Sequence, residues 1–185
     1  MKALFISGSP RVNGNTAKIT AAIAQGLENQ GFEVKHISLS EMKIEYCVGD
    51  KSCFTTGTCT HSDDVAAIVD DIYDSQLVVI ASPSYWGDVT AQMKVFIDRC
   101  TPFCDGNVHR QIRHTQPKGA AVAVRAGRNR AENENLVKTI EHFLGHLKIP
   151  LVSAFTVEGV GSLEDLEKRP EVLEEAYNFG KNLVL

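Results

Sequence analysis

The chain has 185 residues and a formal net charge of −4 at neutral pH, and this length suits one α/β domain over residues 1–185 that buries its core without disulfides or a metal. Its 19 basic and 23 acidic residues include no run of Lys or Arg, which excludes the electrostatic footprint of a nucleic-acid-binding or anionic-membrane-binding protein. No stretch resembles a signal peptide or is long enough to cross a bilayer, so we expect a cytoplasmic protein with no membrane partner.

Short apolar runs alternate with amphipathic helical patterns along the chain. The predicted strands are 2–7, 32–39, 76–82, 119–125 and 151–157, and the predicted helices are 16–29, 63–74, 90–103, 132–147 and 170–183. Ser62 is the predicted N-cap of the second helix, and Asn129 with Glu132 has capping-box spacing for the fourth. The alternation predicts an α/β fold, a three-layer α/β/α sandwich around a five-stranded parallel sheet in the order 2-1-3-4-5.

The segment between the first strand and the first helix has the composition of a phosphate-binding loop. It reads Ser7-Gly8-Ser9-Pro10-Arg11-Val12-Asn13-Gly14-Asn15-Thr16. The glycines permit close backbone approach, the hydroxyls donate hydrogen bonds, Arg11 is a forked cation, and the helix start adds free amides. The spacing matches neither GxxxxGK[ST] nor GxGxxG, so the predicted ligand is a mononucleotide. The alternative is a plain turn in which Asn15 and Thr16 serve only as caps.

A second polar and aromatic segment follows the third predicted strand. It reads Pro83-Ser84-Tyr85-Trp86-Gly87 and contains the only Trp of the chain. In the predicted strand order the winding reverses between strands one and three, and ligands of open α/β sheets bind at that point. The two segments therefore share one predicted ligand. The alternative for Tyr85 and Trp86 is that one of them packs under the loop as part of the core.

Arginines follow the fourth predicted strand at the same edge of the sheet. Arg125, Arg128 and Arg130 form a local basic cluster around Ala126 and Gly127. Such a cluster suits the 2′-phosphate of NADPH, and the alternative is a solvated loop beside a helix start.

The chain has five cysteines, an odd number, which favours free thiols in a reducing compartment over a disulfide framework. Three of them, Cys47, Cys53 and Cys59, lie in the one long irregular stretch, residues 40–61. A loop of this length in a compact domain is usually functional or mobile.

With these motifs the chain resembles the flavodoxin-like NAD(P)H-dependent FMN reductases, close to the iron-sulfur flavoproteins. The resemblance implies that Ser9, Arg11, Asn15 and Thr16, with Asn13 and Gly14 of the same loop, bind the FMN phosphate. It implies that Pro83, Ser84, Tyr85, Trp86 and Gly87 run along the flavin ring, and that Ala126 and Gly127 touch the ring or approach the nicotinamide.

The cysteine loop departs from the pattern of the iron-sulfur branch, which is CxxCxxCxxxxxC. The corresponding positions are Cys47, Asp50, Cys53 and Cys59, so the second cluster ligand is missing. We therefore expect no metal and no iron-sulfur cluster, and reduced thiols on a loop that covers the flavin. The alternative is a mixed ligand set for iron or zinc completed by Asp50 or His61.

The resemblance implies an FMN-dependent NAD(P)H oxidoreductase that passes hydride through bound FMN to a quinone, flavin, azo compound or similar small acceptor. The flavin performs the hydride transfer, so no catalytic side chain is expected. The alternatives are a flavodoxin-type electron carrier, an iron-sulfur flavoprotein and a flavin-free redox or metal sensor. A homo-oligomer, dimer or tetramer, is also implied, and the apolar segment 95–97 is the expected contact.

Overall fold

The structure is a computed structural model that describes residues 1–111 and 115–183. Residues 112–114 and 184–185 of the predicted domain lie outside the described part. Five strands are present: β1 (Lys2–Ser7), β2 (Glu33–Ser38), β3 (Leu77–Pro83), β4 (Lys118–Val124) and β5 (Leu151–Val157). The helices are α1 (Asn15–Glu28), α2 (Cys53–Thr56), α3 (Val65–Asp74), α4 (Ala91–Arg99), α5 (Arg130–His146), α6 (Leu163–Glu167) and α7 (Pro170–Asn182).

All strand pairs are parallel and the sheet order is β2-β1-β3-β4-β5, which confirms the predicted order. Ile6 of β1 lies level with Ile37 of β2 and Ile80 of β3. Alternate residues of β1 point to opposite faces, so Leu4 and Ile6 join one core while Ala3 and Phe5 join the other.

Helices cover both faces of the sheet. The first core is completed by α3, α4 and α5, and the second by α1, α6 and α7. The chain is therefore a flavodoxin-like three-layer sandwich. No helix among residues 1–111 and 115–183 is long and apolar enough to span a membrane.

The third predicted helix is too long: α4 ends at Arg99, and a separate 3-10 turn follows at Thr101–Phe103. Pro102 is the physical reason, because proline lacks an amide hydrogen and disfavours helical backbone in the residue before it. Within the segment predicted for oligomer contact, Phe96 is fully buried and packs edge-on against Phe143, so it belongs to the core.

Of the two predicted caps, one is wrong and one is confirmed. Helix α3 begins at Val65, whose amide donates to the Asp63 carboxylate, so Ser62 does not cap it. Asn129 caps α5 by accepting from the amide of Ala131. Glu132 pairs with Arg125 and accepts from the Asn129 side-chain amide, not from its backbone amide, so the capping box is not completed. The short helices α2 and α6 were not predicted, because four or five residues carry too little periodicity.

Helices α1 and α7 cross at two glycines. A Cβ at Gly26 would lie 2.2 Å from the carbonyl oxygen of Tyr177, and one at Gly180 would lie 2.0 Å from that of Ile23. The two backbones touch here, so neither position has room for any side chain.

Candidate cofactor site and cysteine cavity

The loop between β1 and α1, residues 8–14, has a buried floor and an exposed rim. Ser9, Gly14, Asn15 and Thr16 are buried, whereas residues 10–13, which include Arg11 and Asn13, are exposed. The Ser9 hydroxyl accepts a hydrogen bond of 3.1 Å from the Arg11 amide, and the Gly14 amide donates to the Arg11 carbonyl. The loop is thus folded on itself and presents Arg11 outward.

The N-terminus of α1 opens into this loop. Its N-cap residue is Gly14, which has no side chain to accept hydrogen bonds from the first-turn amides, and the first turn contains no acidic residue. Asn15 does not act as a cap. Its side-chain amide donates to the carbonyls of Val160 and Ser162, 3.0 and 2.9 Å away. The amides and the positive end of the helix dipole are therefore available to an anion.

The segment after β3 forms a tight turn. Tyr85 and Asp88 exchange backbone hydrogen bonds of 2.9 and 3.1 Å, and the two residues between them have positive φ, +55° at Trp86 and +76° at Gly87. These angles fit a type I′ turn, in which Gly or Asn is the usual first residue. Trp86 is fully exposed and Tyr85 is 47% exposed, so neither packs in the core.

Helix α5 supports this aromatic turn. The Asn135 side-chain amide donates to the Gly87 carbonyl at 2.8 Å, and the Glu132 side chain lies directly against Gly87. Glu132 is itself held by an ion pair with Arg125. Two contacts from α5 thus support a turn in which Trp86 has a backbone conformation that costs about 1–2 kcal/mol for a residue other than glycine.

One buried side chain connects the loop between β1 and α1 with the segment that follows the aromatic turn. Thr90, fully buried, donates from its hydroxyl to the Gly8 carbonyl at 2.6 Å and caps α4 by accepting from the Met93 amide. Gly8 also donates to the Ala81 carbonyl of β3. The structure therefore brings the two predicted segments together at the carboxyl ends of β1 and β3. Thr90 was not among the predicted site residues, although a Thr immediately before an apolar helical pattern is an N-cap signal.

The loop after β4 lies at the same edge of the sheet. Gly127 accepts from the Gly159 amide at 3.0 Å; Ala126 is exposed and Gly127 half-buried. The predicted basic cluster is partly neutralised, because Arg125 pairs with Glu132, and Arg130 pairs with Glu134 at 3.3 Å. Arg128 remains exposed.

Four buried polar atoms at this edge lack a hydrogen-bond partner among the described residues. They are Asn15 Oδ1, Ser84 Oγ, Arg125 Nε and Asn133 Oδ1. An unpaired buried polar group costs about 1–3 kcal/mol, so natural proteins rarely collect several without a ligand or water to satisfy them.

The cysteine cavity is a second polar centre, lined by Cys47, Cys53, Cys59, Asp50, His61 and Arg99. Cys47 is exposed, and Cys53 and Cys59 are half-buried. Burial and the neighbouring Cys59 sulfur raise the pKa of the Cys53 thiol. Within residues 1–111 and 115–183, no three His, Cys, Asp or Glu side chains are grouped to bind one metal ion.

Arg99, at the end of α4, is the largest fully buried side chain. Its guanidinium donates to both carboxylate oxygens of Asp63, at 2.6 and 3.1 Å, and to the Glu45 carbonyl at 2.7 Å. Burial disfavours ionisation of Asp63, but these hydrogen bonds and those from the Glu45 and Val65 amides hold its pKa below the ordinary value. Arg99 lies on the apolar face of α4, three and six residues after Phe96 and Met93, and this spacing was the signal that sequence reasoning missed.

Comparisons with known proteins agree with this geometry. The family model for NADPH-dependent FMN reductases matches residues 1–159. An iron-sulfur flavoprotein of Archaeoglobus fulgidus is 46% identical over 103 residues, which are 56% of this chain and 47% of that protein. An iron-sulfur flavoprotein of Methanocaldococcus jannaschii is 32% identical over 189 residues, with 99% of this chain and 95% of that protein covered.

The fold has solved counterparts. The structure of NAD(P)H:quinone oxidoreductase from Methanothermobacter marburgensis superposes with a TM-score of 0.76 at 15% identity, covering 100% of this chain and 96% of that one. The chain thus spans about half of the first relative and nearly all of the second, and it shares the fold of the quinone oxidoreductase. On the match over residues 1–159, the chain belongs to the NADPH-dependent FMN reductase family, a family of oxidoreductases.

Proposed function

We propose that the chain binds FMN at the carboxyl edge of its sheet and transfers electrons from NAD(P)H to a small-molecule acceptor. The observation that carries the proposal is the hydrogen bond from Thr90 to Gly8, which places an uncapped helix N-terminus beside an exposed aromatic turn. FMN has a dianionic phosphate at one end and a flat ring at the other, so its two ends match the two segments.

In this proposal the loop before α1 binds the phosphate of FMN. Arg11 supplies a charge-assisted donor from the exposed rim, together with Asn13, while Gly14 and Thr16 contribute the open helix N-terminus. Ser9 acts through the loop, since its hydroxyl holds the Arg11 backbone. The free Oδ1 of Asn15 is an acceptor, so it suits a ribityl hydroxyl better than the phosphate.

The flavin ring is bound by the segment Pro83, Ser84, Tyr85, Trp86 and Gly87. Ala126 and Gly127, in the loop after β4, also contact the ring. The unpartnered Ser84 hydroxyl offers a hydrogen bond to the polar edge of the ring, and the exposed aromatic side chains offer apolar contact. Bound FMN supplies the hydride chemistry, so the side chains need only hold and orient it.

The electron donor and acceptor meet at the same edge. Arg128 is the exposed cation left there for a nicotinamide nucleotide, because Arg125 and Arg130 are paired. A quinone, flavin or azo compound is the proposed acceptor class, in line with the quinone oxidoreductase that shares the fold. We also propose a homo-oligomer, dimer or tetramer, in which the partly exposed Val95 and Ile97 make contact.

The test is an anaerobic absorption spectrum of purified protein supplied with FMN, recorded before and after NADPH or NADH. Bound flavin whose bands bleach on addition supports the reductase. Bound flavin that neither nucleotide bleaches indicates a flavodoxin-type carrier instead. Protein that does not bind FMN overturns the proposal.

A second candidate function is that of an iron-sulfur flavoprotein. The observation that favours it is that the three loop thiols line one cavity with the Asp50 carboxylate, and both relatives described above carry that name. Three thiolates and a carboxylate can supply one ligand to each iron of a four-iron cluster, and the ligands of such a cluster surround it instead of meeting at one metal ion. Iron and acid-labile sulfide after anaerobic reconstitution test this candidate, and their absence leaves the thiols reduced.

A further inference from the structure

The cysteine segment, residues 46–62, is held at both ends by one arginine. Glu45 precedes the segment and Asp63 follows it, and Arg99 donates to both. The Glu45 amide in turn donates to Asp63 Oδ2 at 3.0 Å, which closes a ring of three residues. The two ends of the segment are therefore fixed relative to α4, independently of the conformation of the residues between them.

The arginine is buried more deeply than a loop clamp requires. Its side chain is 1% exposed and that of Asp63 is 7% exposed, so the pair is removed from water. A buried ion pair contributes little net stability even when its geometry is good, because both charges lose their hydration. The need to hold the ends of the segment therefore does not by itself explain why Arg99 is buried.

The bonds to Asp63 and Glu45 use three of the five N–H donors of Arg99. The two Nη atoms make the bonds to Asp63 and Glu45, but Nε is buried and has no partner among the described residues. The side chain also lines the cavity that holds the three loop cysteines. His61, another wall of this cavity, likewise has a buried Nε2 without a partner. Two residues that each have an unpartnered nitrogen thus line the cavity that holds the three loop sulfurs.

We propose that Arg99 is the positioning residue of the cysteine cavity, and that its Nε–H donates a hydrogen bond to a sulfur atom of the centre formed there. The proposal rests on the second candidate function, an iron-sulfur centre on Cys47, Cys53 and Cys59. Hydrogen bonds to cluster sulfurs raise the reduction potential, so Arg99 makes the centre easier to reduce.

A matched control lies away from the cavity. Lys168, next to α6, pairs with Glu164, and both side chains are about seven-tenths exposed. Lys168→Gln removes a cation without touching the clamp or the cavity lining, so its expected effect on the centre is nil.

The test compares wild type, Lys168→Gln, Arg99→Lys and the double variant Arg99→Gln/Asp63→Asn after anaerobic reconstitution with iron and sulfide. The double variant removes both buried charges together, which leaves the net charge unchanged and avoids an unpaired buried ion. Arg99→Lys keeps the cation but lacks the Nε–H. The measured quantities are iron and sulfide per chain, FMN per chain and the midpoint potential of the cluster from a spectroscopic redox titration.

We expect Lys168→Gln to match wild type, and both Arg99 variants to bind FMN normally but to have a more negative cluster potential. Unchanged potentials in cluster-loaded Arg99 variants overturn the role of Arg99 and leave the iron-sulfur candidate intact. Wild-type protein that takes up no iron and sulfide overturns the iron-sulfur candidate, and the Arg99 proposal with it.

Discussion

The hydroxyl of Thr90 and the carbonyl oxygen of Gly8 lie 2.6 Å apart, 82 residues apart in sequence. This single bond connects the loop at the start of α1 with the start of α4. The space between them is closed, because a Cβ at Gly8 would lie 2.9 Å from the Thr90 hydroxyl oxygen and 2.8 Å from Met93. The two ends of the proposed FMN site are therefore fixed to each other by the protein itself.

Replacing Thr90 with Val removes this bond and the cap of α4 while keeping the shape of the side chain. We expect the free energy of unfolding to fall by about 1–3 kcal/mol, because a buried carbonyl loses its donor and a helix loses its cap. FMN affinity falls as well. Chemical denaturation and FMN titration measure both effects. Thr90→Ser keeps the hydroxyl and is the control, so an equal loss in Thr90→Ser would contradict the hydrogen-bond explanation.

Arg11→Ala tests the phosphate end of the proposed site. Arg11 is exposed, so the variant should fold with little change in stability. The loss of charge-assisted hydrogen bonds to phosphate should weaken FMN binding by about 1.5–3 kcal/mol, measured by titration of apoprotein. Riboflavin, which lacks the phosphate, provides the control ligand. If FMN affinity is unchanged in folded Arg11→Ala, the phosphate lies elsewhere.

Trp86→Gly should separate stability from function. Glycine adopts positive φ without strain and Trp86 buries no surface, so we expect the variant to gain about 1 kcal/mol in the free energy of unfolding. The same change removes the exposed indole from the ring end, so turnover with NADPH and a quinone should drop. Trp86→Phe keeps an aromatic side chain and should retain more activity. A glycine variant with full turnover would show that the indole takes no part.

The Asp63–Arg99 pair predicts a particular pH dependence. The pKa of Asp63 is lowered in the folded protein, so its contribution to stability is complete above its ordinary value of about 4 and is lost as the pH falls below that value. Asp63→Asn leaves the buried Arg99 unpaired and should cost about 3–5 kcal/mol at pH 7. Urea unfolding of both proteins measures the difference, which should shrink between pH 5 and pH 3. A difference that stays constant over this range would show that Asp63 does not titrate with folding.

The sheet order and most element positions follow from the alternation of apolar runs, because each βα unit carries its own local pattern. The support of the aromatic turn and the partners of Arg99 could not be predicted in this way, because they depend on contacts between residues distant in sequence. Nothing local to Gly87 indicates that Asn135 supports it, and nothing local to Trp86 indicates its positive φ. Arg99 was different: its place on the apolar face of α4 was visible in the spacing, but its partners, Glu45 and Asp63, were not.

The crossing of α1 and α7 at Gly26 and Gly180 bears on where the chain can be cut. The family match ends at residue 159, before α6 and α7 begin, yet α7 rests backbone to backbone on α1. A fragment ending there would lose Leu166, Val172 and Ala176, which belong to the same buried core as Ile19 and Ile23 of α1. Such a fragment would keep every residue proposed to contact FMN. We still expect it to aggregate, because the apolar surface that α7 covers on α1 would be exposed.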